Sequence, residues 1–363
     1  MSEDILEADY VIVGAGAVGM AFADTLLTDS NATMIMVDRR HKPGGHWNDA
    51  YPFVRLHAPS VYYGVNSRLL GSDRIEEIGF NRGLYELATG PEICAYYDRL
   101  MRQRLLPSGR VTYLPMSDFG KDGSVTSRVG GARVMVKARR KLVDATFADT
   151  RLPATHGPNF FVSPDVRCIS PNALVHLSEP RAGFVVIGAG KTAMDTVIWL
   201  LEQGVDADAI TWIRPRDPWL LNRGNLQRSF DFFTRTFGAF ASEMEAARDA
   251  TSIEDLFARL EAVKSLMRID PAVTPTMFRC AIVSEAELEQ LRRVRNVVRL
   301  GHVTAISHDE IVLEHGTVPT SPGKIHIHCS ADGIPLREPE PIFQDGRILL
   351  QYVAAAHQHS AAP

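Results

Sequence analysis

Residues 185–195 read VVIGAGKTAMD, and a similar stretch, YVIVGAGAVGM, occupies residues 10–20. In each stretch an apolar run typical of a buried strand leads into a glycine-rich turn, and small residues typical of a closely packed helix follow. A glycine-rich turn between a strand and a helix is the phosphate-binding element of dinucleotide-binding folds. The repeat therefore predicts an α/β protein with two Rossmann-like dinucleotide-binding domains.

The first glycine turn carries the complete pattern G-x-G-x-x-G. Gly14, Gly16 and Gly19 supply it, and Asp38 follows the next predicted strand at residues 34–37. The first glycine makes the tight turn, the second lets the backbone approach a pyrophosphate, and the third lets helix and strand pack closely. The acid at the strand end is placed to bind ribose hydroxyls. The alternative is an incidental glycine-rich turn.

The second glycine turn has the related pattern G-x-G-x-x-A, formed by Gly188, Gly190 and Ala193. No acid follows its next predicted strand; Arg214 and Arg216 stand there instead. A guanidinium at that place suits the 2′-phosphate of NADPH. The pattern predicts FAD at the first turn and NADPH at the second, unless the two arginines are merely solvated turn residues.

The composition excludes several other classes of protein. The chain has 363 residues with a net charge of −4, so no basic surface for nucleic acid is expected. The four cysteines include no C-x-x-C pair, which argues against a disulfide-reducing centre. The acidic N-terminus is unlike a signal peptide, and no apolar run is long enough for a membrane span. We expect a cytoplasmic protein that does not bind membranes.

Four stretches together resemble the class B flavoprotein monooxygenases, the family of flavin-containing and Baeyer–Villiger monooxygenases. They are GAGAVG, DRRHKPGGHWNDAYP at residues 38–52, DAT at 144–146, and GAGKTAMD followed by Arg214. The resemblance implies FAD at Gly14, Gly16, Gly19, Asp38, Arg39, Gly44, Gly45, Trp47 and Thr146. It implies NADPH at Gly188, Gly190, Lys191, Thr192, Arg214 and Arg216.

The resemblance also implies a domain order in which an NADPH domain is inserted into an FAD domain. We expect the first part of the FAD domain at 1–147, a linker at 148–182, the NADPH domain at 183–319 with a helical insertion at about 220–295, and an FAD-domain return segment at 320–363. The tail AAAHQHSAAP at 354–363 is too short and polar for a covering C-terminal helix. We therefore expect loosely held flavin or an edge completed by a second subunit in a homodimer.

The segment after the Gly-Gly-His-Trp turn supplies the candidate catalytic residues. Arg55 and His57 alternate with apolar neighbours on an extended segment, so both are expected on one side of it. Near a flavin, a cation stabilises an oxygen anion and an imidazole passes a proton. The alternative is that Arg55 forms a structural ion pair and His57 is a packing residue. His326 and His328 lack a ligand cluster, so no metal is expected.

The predicted function is an FAD-dependent, NADPH-consuming oxidoreductase. The resemblance implies a monooxygenase that uses dioxygen and a peroxyflavin to insert one oxygen atom into a small organic substrate. The linker lacks the family's F-x-G-x-x-x-H-x-x-x-[FY] motif, and LPATHGPNF, with His156 and Phe160, stands at a comparable place. Two alternatives stay open: an NAD(P)H-dependent flavin reductase or dehydrogenase without oxygen insertion, and a non-catalytic dinucleotide-binding protein.

Overall fold

The computed structural model describes residues 5–331, 333 and 337–351, and its elements form a mixed α/β fold. The helices are α1 (Ala17–Asp29), α2 (Gly90–Leu100), α3 (Lys191–Glu202), α4 (Phe233–Asp249), α5 (Ile253–Ala262) and α6 (Glu285–Arg293). The strands up to the second glycine turn are β1 (Ile5–Val13), β2 (Met34–Val37), β3 (Val111–Leu114), β4 (Ser117–Phe119), β5 (Ser124–Ser127), β6 (Arg133–Asp144), β7 (Phe161–Val162), β8 (Cys168–Ile169) and β9 (Gly183–Ile187). The later strands are β10 (Ile210–Ile213), β11 (Pro218–Asn222), β12 (Leu266–Met267), β13 (Met277–Val283), β14 (Val297–Val298), β15 (Val303–Ile306), β16 (Glu310–Leu313), β17 (Gly316–Pro319), β18 (Lys324–His328), β19 (Phe343–Gln344) and β20 (Arg347–Leu349).

The first sheet contains the first glycine turn. Its strands lie in the order β19-β20-β6-β1-β2-β3, with β4 and β5 attached to β6. The five strands from β20 to β3 run parallel. Helices α1 and α2 cover it with an apolar core that includes Met20, Met36, Tyr96 and Tyr97. This core places the carboxyl ends of β1 and β2, and so the glycine turn and Asp38, at one edge of the sheet.

The second sheet contains the second glycine turn. All of its strands are parallel, in the order β14-β10-β9-β18-β8. Its core brings together side chains of α3, the buried strands and α6, among them Val197, Trp212, Ile327 and Leu291. Buried parallel strands read as continuous apolar runs, which is why GFVVI and ITWI stand out in the sequence.

Two small sheets complete the fold. One has the order β12-β11-β13, and the other is the antiparallel meander β17-β16-β15 extended by β7. The chain leaves the first sheet after β6, forms the other sheets, and returns to the first sheet with the hairpin of β19 and β20. Among the described residues, every helix lacks the length or the apolar character needed to cross a bilayer.

Two expectations about the chain course need correction. The expected return at residue 320 is too early, because β18 pairs with β8 and β9 in the second sheet and only 343–349 rejoins the first. The insertion at about 220–295 is not purely helical, since β12 and β13 lie within it. The tail at 354–363 lies outside the described residues.

Candidate functional site

The first glycine turn is held by backbone contacts that require glycine. Gly14 has φ +103° and donates its N–H to the Val37 carbonyl at 2.8 Å. A Cβ on Gly19 would lie 2.0 Å from the Gly14 carbonyl oxygen, so no side chain fits there. Gly16 precedes α1, and no side chain caps that helix. The first turn of α1 therefore keeps backbone N–H groups available to an anionic group.

The Gly44-Gly45 turn packs directly on the first glycine turn. Gly44 donates its N–H to the Ala15 carbonyl at 2.9 Å, and both glycines have positive φ angles, +117° and +58°. A Cβ on Gly45 would lie 2.9 Å from the Cα of Gly16. Trp47 follows on the same turn, and its buried indole N–H has no hydrogen-bond partner in the protein.

Asp38 is tied to the same turn through both carboxylate oxygens. Oδ2 accepts the Ala15 N–H at 2.6 Å, and Oδ1 accepts the Arg40 N–H at 2.7 Å. The residue is only 5% exposed. Each carboxylate oxygen has a second lone pair, so Asp38 keeps acceptor capacity towards a ligand hydroxyl.

A cavity of about 1250 Å³ opens beside this turn. Several residues that the sequence predicts for FAD line this cavity: Gly14, Gly16, Asp38, Arg39, Gly45 and Thr146. His156 from the predicted linker also lines it, together with Thr155. Small-molecule sites usually enclose roughly 300–1,000 Å³, so this cavity has room for an extended ligand.

The cavity wall carries charges of both signs in ion pairs. Arg40 pairs with Asp49 at 2.6 Å, and Arg347 of β20 pairs with Asp144 of β6 at 2.6 Å. Burial acts to raise the pKa of Asp144, but two hydrogen bonds from Thr146 and then the Arg347 guanidinium hold it below its usual range. His46 also lines the wall, and burial and then Arg40 lower its pKa to about 3. The imidazole is therefore neutral.

The second glycine turn repeats this geometry. Gly188 has φ +134°, and its N–H is donated to the Ile213 carbonyl at 3.0 Å. A Cβ on Gly188 would lie 2.9 Å from the Cys329 carbonyl oxygen, whereas a Cβ on Gly190 would meet no atom within 4 Å. Gly190 precedes α3, and no side chain caps that helix either. The space in front of Gly190 is thus open to a ligand.

The sequence pattern predicts an Arg214 side chain that is free at the end of β10, but in the structure this side chain is buried and paired. It is 1% exposed, stacks on Trp212 at 4.7 Å, and lies with Nη1 3.3 Å from Oδ1 of Asp217. Its buried Nε and Nη1 donors have no hydrogen-bond partner. Burial lowers the pKa of Arg214 to about 10, so the group stays charged. Arg216, two residues further, is exposed.

Lys191 and Thr192 begin α3, but the Lys191 ammonium turns towards its own helix. It forms an ion pair with Asp195, and Tyr51 donates its hydroxyl to the other oxygen of that carboxylate at 2.7 Å. Burial raises the pKa of Asp195, and burial together with Asp195 raises that of Tyr51. Since Tyr51 follows the Gly44-Gly45 turn, this contact joins the two glycine turns.

The two candidate catalytic residues have different surroundings. Arg55 forms an ion pair with Glu76 and donates to the Leu87 carbonyl. This is the structural ion pair that the sequence allowed as the alternative to a catalytic role. His57 is partly buried, and burial, followed by the charges of Lys191 and Arg223, lowers its pKa to about 3. His57 is therefore a neutral imidazole beside the Lys191–Asp195 ion pair.

A fully buried arginine fixes the backbone of His57. Arg223 donates Nε to the His57 carbonyl at 2.8 Å, donates Nη1 to Asn81 at 3.3 Å, and forms an ion pair with Glu287 at 2.8 Å. Arg223 and Lys191 lower the pKa of Glu287 to about 2 against the effect of burial. The segment predicted as a helical insertion thus supports a candidate catalytic residue.

Sequence reasoning did not single out Tyr51, Asp195, Arg223 or Glu287 as site residues. The structure brings Tyr51, Lys191 and Asp195 together between the glycine turns, and the charge of Lys191 lowers the pKa of His57. It does not bring Arg214 to the surface. The one available signal in the sequence was a charged residue directly after an apolar run, and Arg223 after PWLLN is such a residue.

Both turns pass a test of fit to dinucleotides. At the first turn the positive φ angles, the close Gly16–Gly45 approach, the unpartnered Trp47 N–H and the large cavity all suit a bound flavin dinucleotide. At the second turn, the open space at Gly190 and the uncapped α3 suit a pyrophosphate. The fit of its ribose end depends on Arg214 and its neighbours.

Proteins of two mycobacteria are similar in sequence to this chain. No family model matches the chain. Uncharacterized proteins of Mycobacterium tuberculosis and Mycobacterium bovis are 49% identical over 353 residues, which are 97% of this chain. The chain spans 65% of the length of these curated relatives.

Solved structures similar to this chain include flavin-dependent enzymes. A flavin-containing monooxygenase from Stenotrophomonas maltophilia is 15% identical with a TM-score of 0.53, over 98% of this chain and 89% of that one. A steroid monooxygenase bound to NADP is 17% identical with a TM-score of 0.54, over 90% and 71% of the two chains. An open cyclohexanone monooxygenase is 15% identical with a TM-score of 0.53, over 91% and 74%. The predicted resemblance is confirmed at the level of the fold.

Proposed function

We propose that the chain is an FAD-dependent, NADPH-consuming oxidoreductase, with FAD at the first glycine turn and NADPH at the second. The observation that carries the proposal is the hydrogen bond from Tyr51 to Asp195, which joins the segment after Gly45 to the helix after Gly190. The two glycine turns therefore lie on either side of one buried region. Electron transfer from a nicotinamide to a flavin requires that the two cofactors meet in such a region.

The residues of the first turn would hold the flavin nucleotide. Gly14, Gly16 and the amides of α1 would face the pyrophosphate, and Asp38 would accept ribose hydroxyls. Trp47 would donate its unpartnered N–H to the bound group. Bound flavin supplies hydride acceptance and reaction with dioxygen, chemistry that the side chains cannot perform.

The residues between the turns would control water and protons. The neutral His57 can donate or accept a proton without first losing a charge. The opposite charges of Lys191 and Asp195 cancel, so the pair adds little net electric field to the interior. The Tyr51 hydroxyl donates to the second oxygen of the Asp195 carboxylate. Arg223 fixes the His57 backbone through the His57 carbonyl. These features suit a flavin enzyme in general, and the similarity of the fold to solved monooxygenases favours a monooxygenase that acts on a small organic substrate, with the reductase as the second candidate.

The test separates the candidates by what the purified chain does with NADPH. We expect protein with a flavin absorption spectrum that NADPH bleaches in the absence of oxygen. When isotope-labelled dioxygen is admitted in the presence of trial amines, sulfides and ketones, an oxygenase incorporates one labelled oxygen atom into the product. A reductase instead oxidises NADPH to NADP+ and passes the two electrons to dioxygen, which gives an equal amount of hydrogen peroxide, or to an added acceptor. A colourless protein that takes up neither nucleotide contradicts the proposal.

A further inference from the structure

The end of β10 lies where a dinucleotide would place its adenosine ribose. In Rossmann-like units the residue after the second strand contacts that ribose or its 2′-phosphate. Here β9 and β10 are the first and second strands, and Ile213 accepts the Gly188 N–H at 3.0 Å. Arg214 follows directly. The residues around Arg214 therefore decide which nicotinamide nucleotide fits.

Two guanidinium groups converge at this strand end. Arg299 follows β14, the parallel neighbour of β10, and Arg214 donates its N–H to the Val298 carbonyl at 2.9 Å. The Arg299 side chain is 31% exposed, while Arg214 is buried. The sequence pattern gave no reason to connect Arg299 with β10, because a long insertion separates them.

One carboxylate lies between these two groups. Oδ1 of Asp217 is 3.3 Å from Nη1 of Arg214 and 3.3 Å from Nη2 of Arg299. Oδ2 accepts Nε of Arg299 at 2.7 Å. The Asp217 backbone is fixed as well, since its carbonyl accepts the N–H groups of Thr276 and Met277. Asp217 thus bridges two cations at the expected ribose end, and Nη2 of Arg299 also pairs with Asp270 at 2.9 Å.

The bridge leaves donors unused. Nε and Nη1 of Arg214 are buried without a hydrogen-bond partner, and Nη1 lies near Asp217 without hydrogen-bond geometry. A phosphate has more oxygens and more charge than a carboxylate, so it can satisfy donors of both guanidinium groups. The carboxylate is therefore a partial substitute for a larger anion.

We propose that Asp217 occupies the place of a 2′-phosphate between Arg214 and Arg299, and that it competes with that phosphate and so limits the preference for NADPH over NADH. The inference rests on the proposed function. Asp217 is a specificity-determining residue on this account, because NADPH must displace it and NADH need not. Arg299 is the second phosphate ligand.

The test measures binding of 2′,5′-ADP and of 5′-AMP by calorimetry, since these probes differ only in the 2′-phosphate. For Asp217→Asn we expect about tenfold tighter 2′,5′-ADP binding, as charge-assisted contacts of this kind allow, with 5′-AMP unchanged. For Arg299→Gln we expect about tenfold weaker 2′,5′-ADP binding, again with 5′-AMP unchanged. Asp208→Asn is the control, because it removes one exposed negative charge before the opposite end of β10.

The outcomes separate the inference from the proposed function. Equal changes for both probes in Asp217→Asn, or weaker 5′-AMP binding alone, overturn the inference, the latter because Asp217 would then bind a ribose hydroxyl. If Asp217→Asn does not fold, Arg299→Gln decides, and unchanged 2′,5′-ADP binding overturns the inference. Wild-type protein that binds NADPH while the variants keep its preference sinks the inference alone. Wild-type protein that binds neither probe nor NADPH sinks both.

Discussion

Gly16 and Gly45 meet backbone to backbone, with a Cβ on Gly45 placed 2.9 Å from the Cα of Gly16. Gly45 also has φ +58°, which a side chain disfavours. Gly45→Ala should therefore push the two turns apart, lower the melting temperature and abolish flavin retention. Strain at such a position costs about 1–3 kcal/mol, and the clash adds to it.

Gly109→Ala is the matched control for this substitution. Gly109 has φ +69°, and a Cβ there meets no atom within 4 Å, so this variant measures the cost of positive φ without a clash. The measurement is thermal melting together with the ratio of flavin to protein absorbance. A Gly45→Ala protein as stable and as yellow as Gly109→Ala would contradict the close approach of the two turns.

The second turn offers a pair of glycines with opposite expectations. Gly190→Ala places its Cβ in open space with φ −85°, so stability should change by less than about 0.5 kcal/mol while dinucleotide binding weakens. Gly188→Ala combines φ +134° with a contact 2.9 Å from the Cys329 carbonyl, so it should destabilise the fold. Melting curves and NADPH titrations of both variants check this. Unchanged NADPH binding in Gly190→Ala would argue that no pyrophosphate passes there.

Acid should destabilise the protein through His46 and His57. Both have a folded-state pKa of about 3, below the ordinary value of 6.5, so the folded state binds fewer protons than the unfolded state. The stability they contribute is complete above about pH 6.5 and is lost as the pH falls towards 3, by up to about 1.4 kcal/mol per pH unit and histidine. His57→Asn and His46→Asn should each flatten the fall in unfolding free energy between about pH 6.5 and about pH 5. Slopes identical to wild type would mean that these imidazoles are solvated.

The sequence predicted the local elements of the site well. β2 lies at the expected residues 34–37, and α1 and α3 begin at the glycine turns as predicted. These elements are encoded in short windows of apolar period and turn chemistry. The arrangement of strands was harder, since a short run such as IHIH at 325–328 does not reveal which sheet it joins.

The polar interior between the turns was beyond sequence reasoning for a physical reason. Tyr51 and Asp195 are 144 residues apart, and Arg223 lies 166 residues from His57. Such contacts follow from how the two sheets pack and leave no spacing pattern. Arg214 shows the converse, because its strand-end pattern is genuine while Asp217 and the Arg299 that follows β14 determine its environment.

The Arg223–Glu287 ion pair should be highly sensitive to loss of its negative charge. Arg223 is 0% exposed, and its Glu287 partner lies at 2.8 Å. Glu287→Gln leaves a buried guanidinium without its counter-charge, which costs about 3–5 kcal/mol when the pair is fully buried. The Asn81 and main-chain contacts of Arg223 remain, so the protein should still fold.

Asp98→Asn is the control for Glu287→Gln. It makes the same carboxylate-to-amide change in an exposed pair with Arg102, where the expected loss is below about 0.5 kcal/mol. Denaturant unfolding measures the stability of both variants. A second readout that depends on His57, the pH profile of NADPH oxidation, should shift only in Glu287→Gln because the charges of Arg223 and Glu287 both act on the pKa of His57. If Glu287→Gln lost no more stability than Asp98→Asn and kept the wild-type pH profile, the charges of Arg223 and Glu287 would not act on His57.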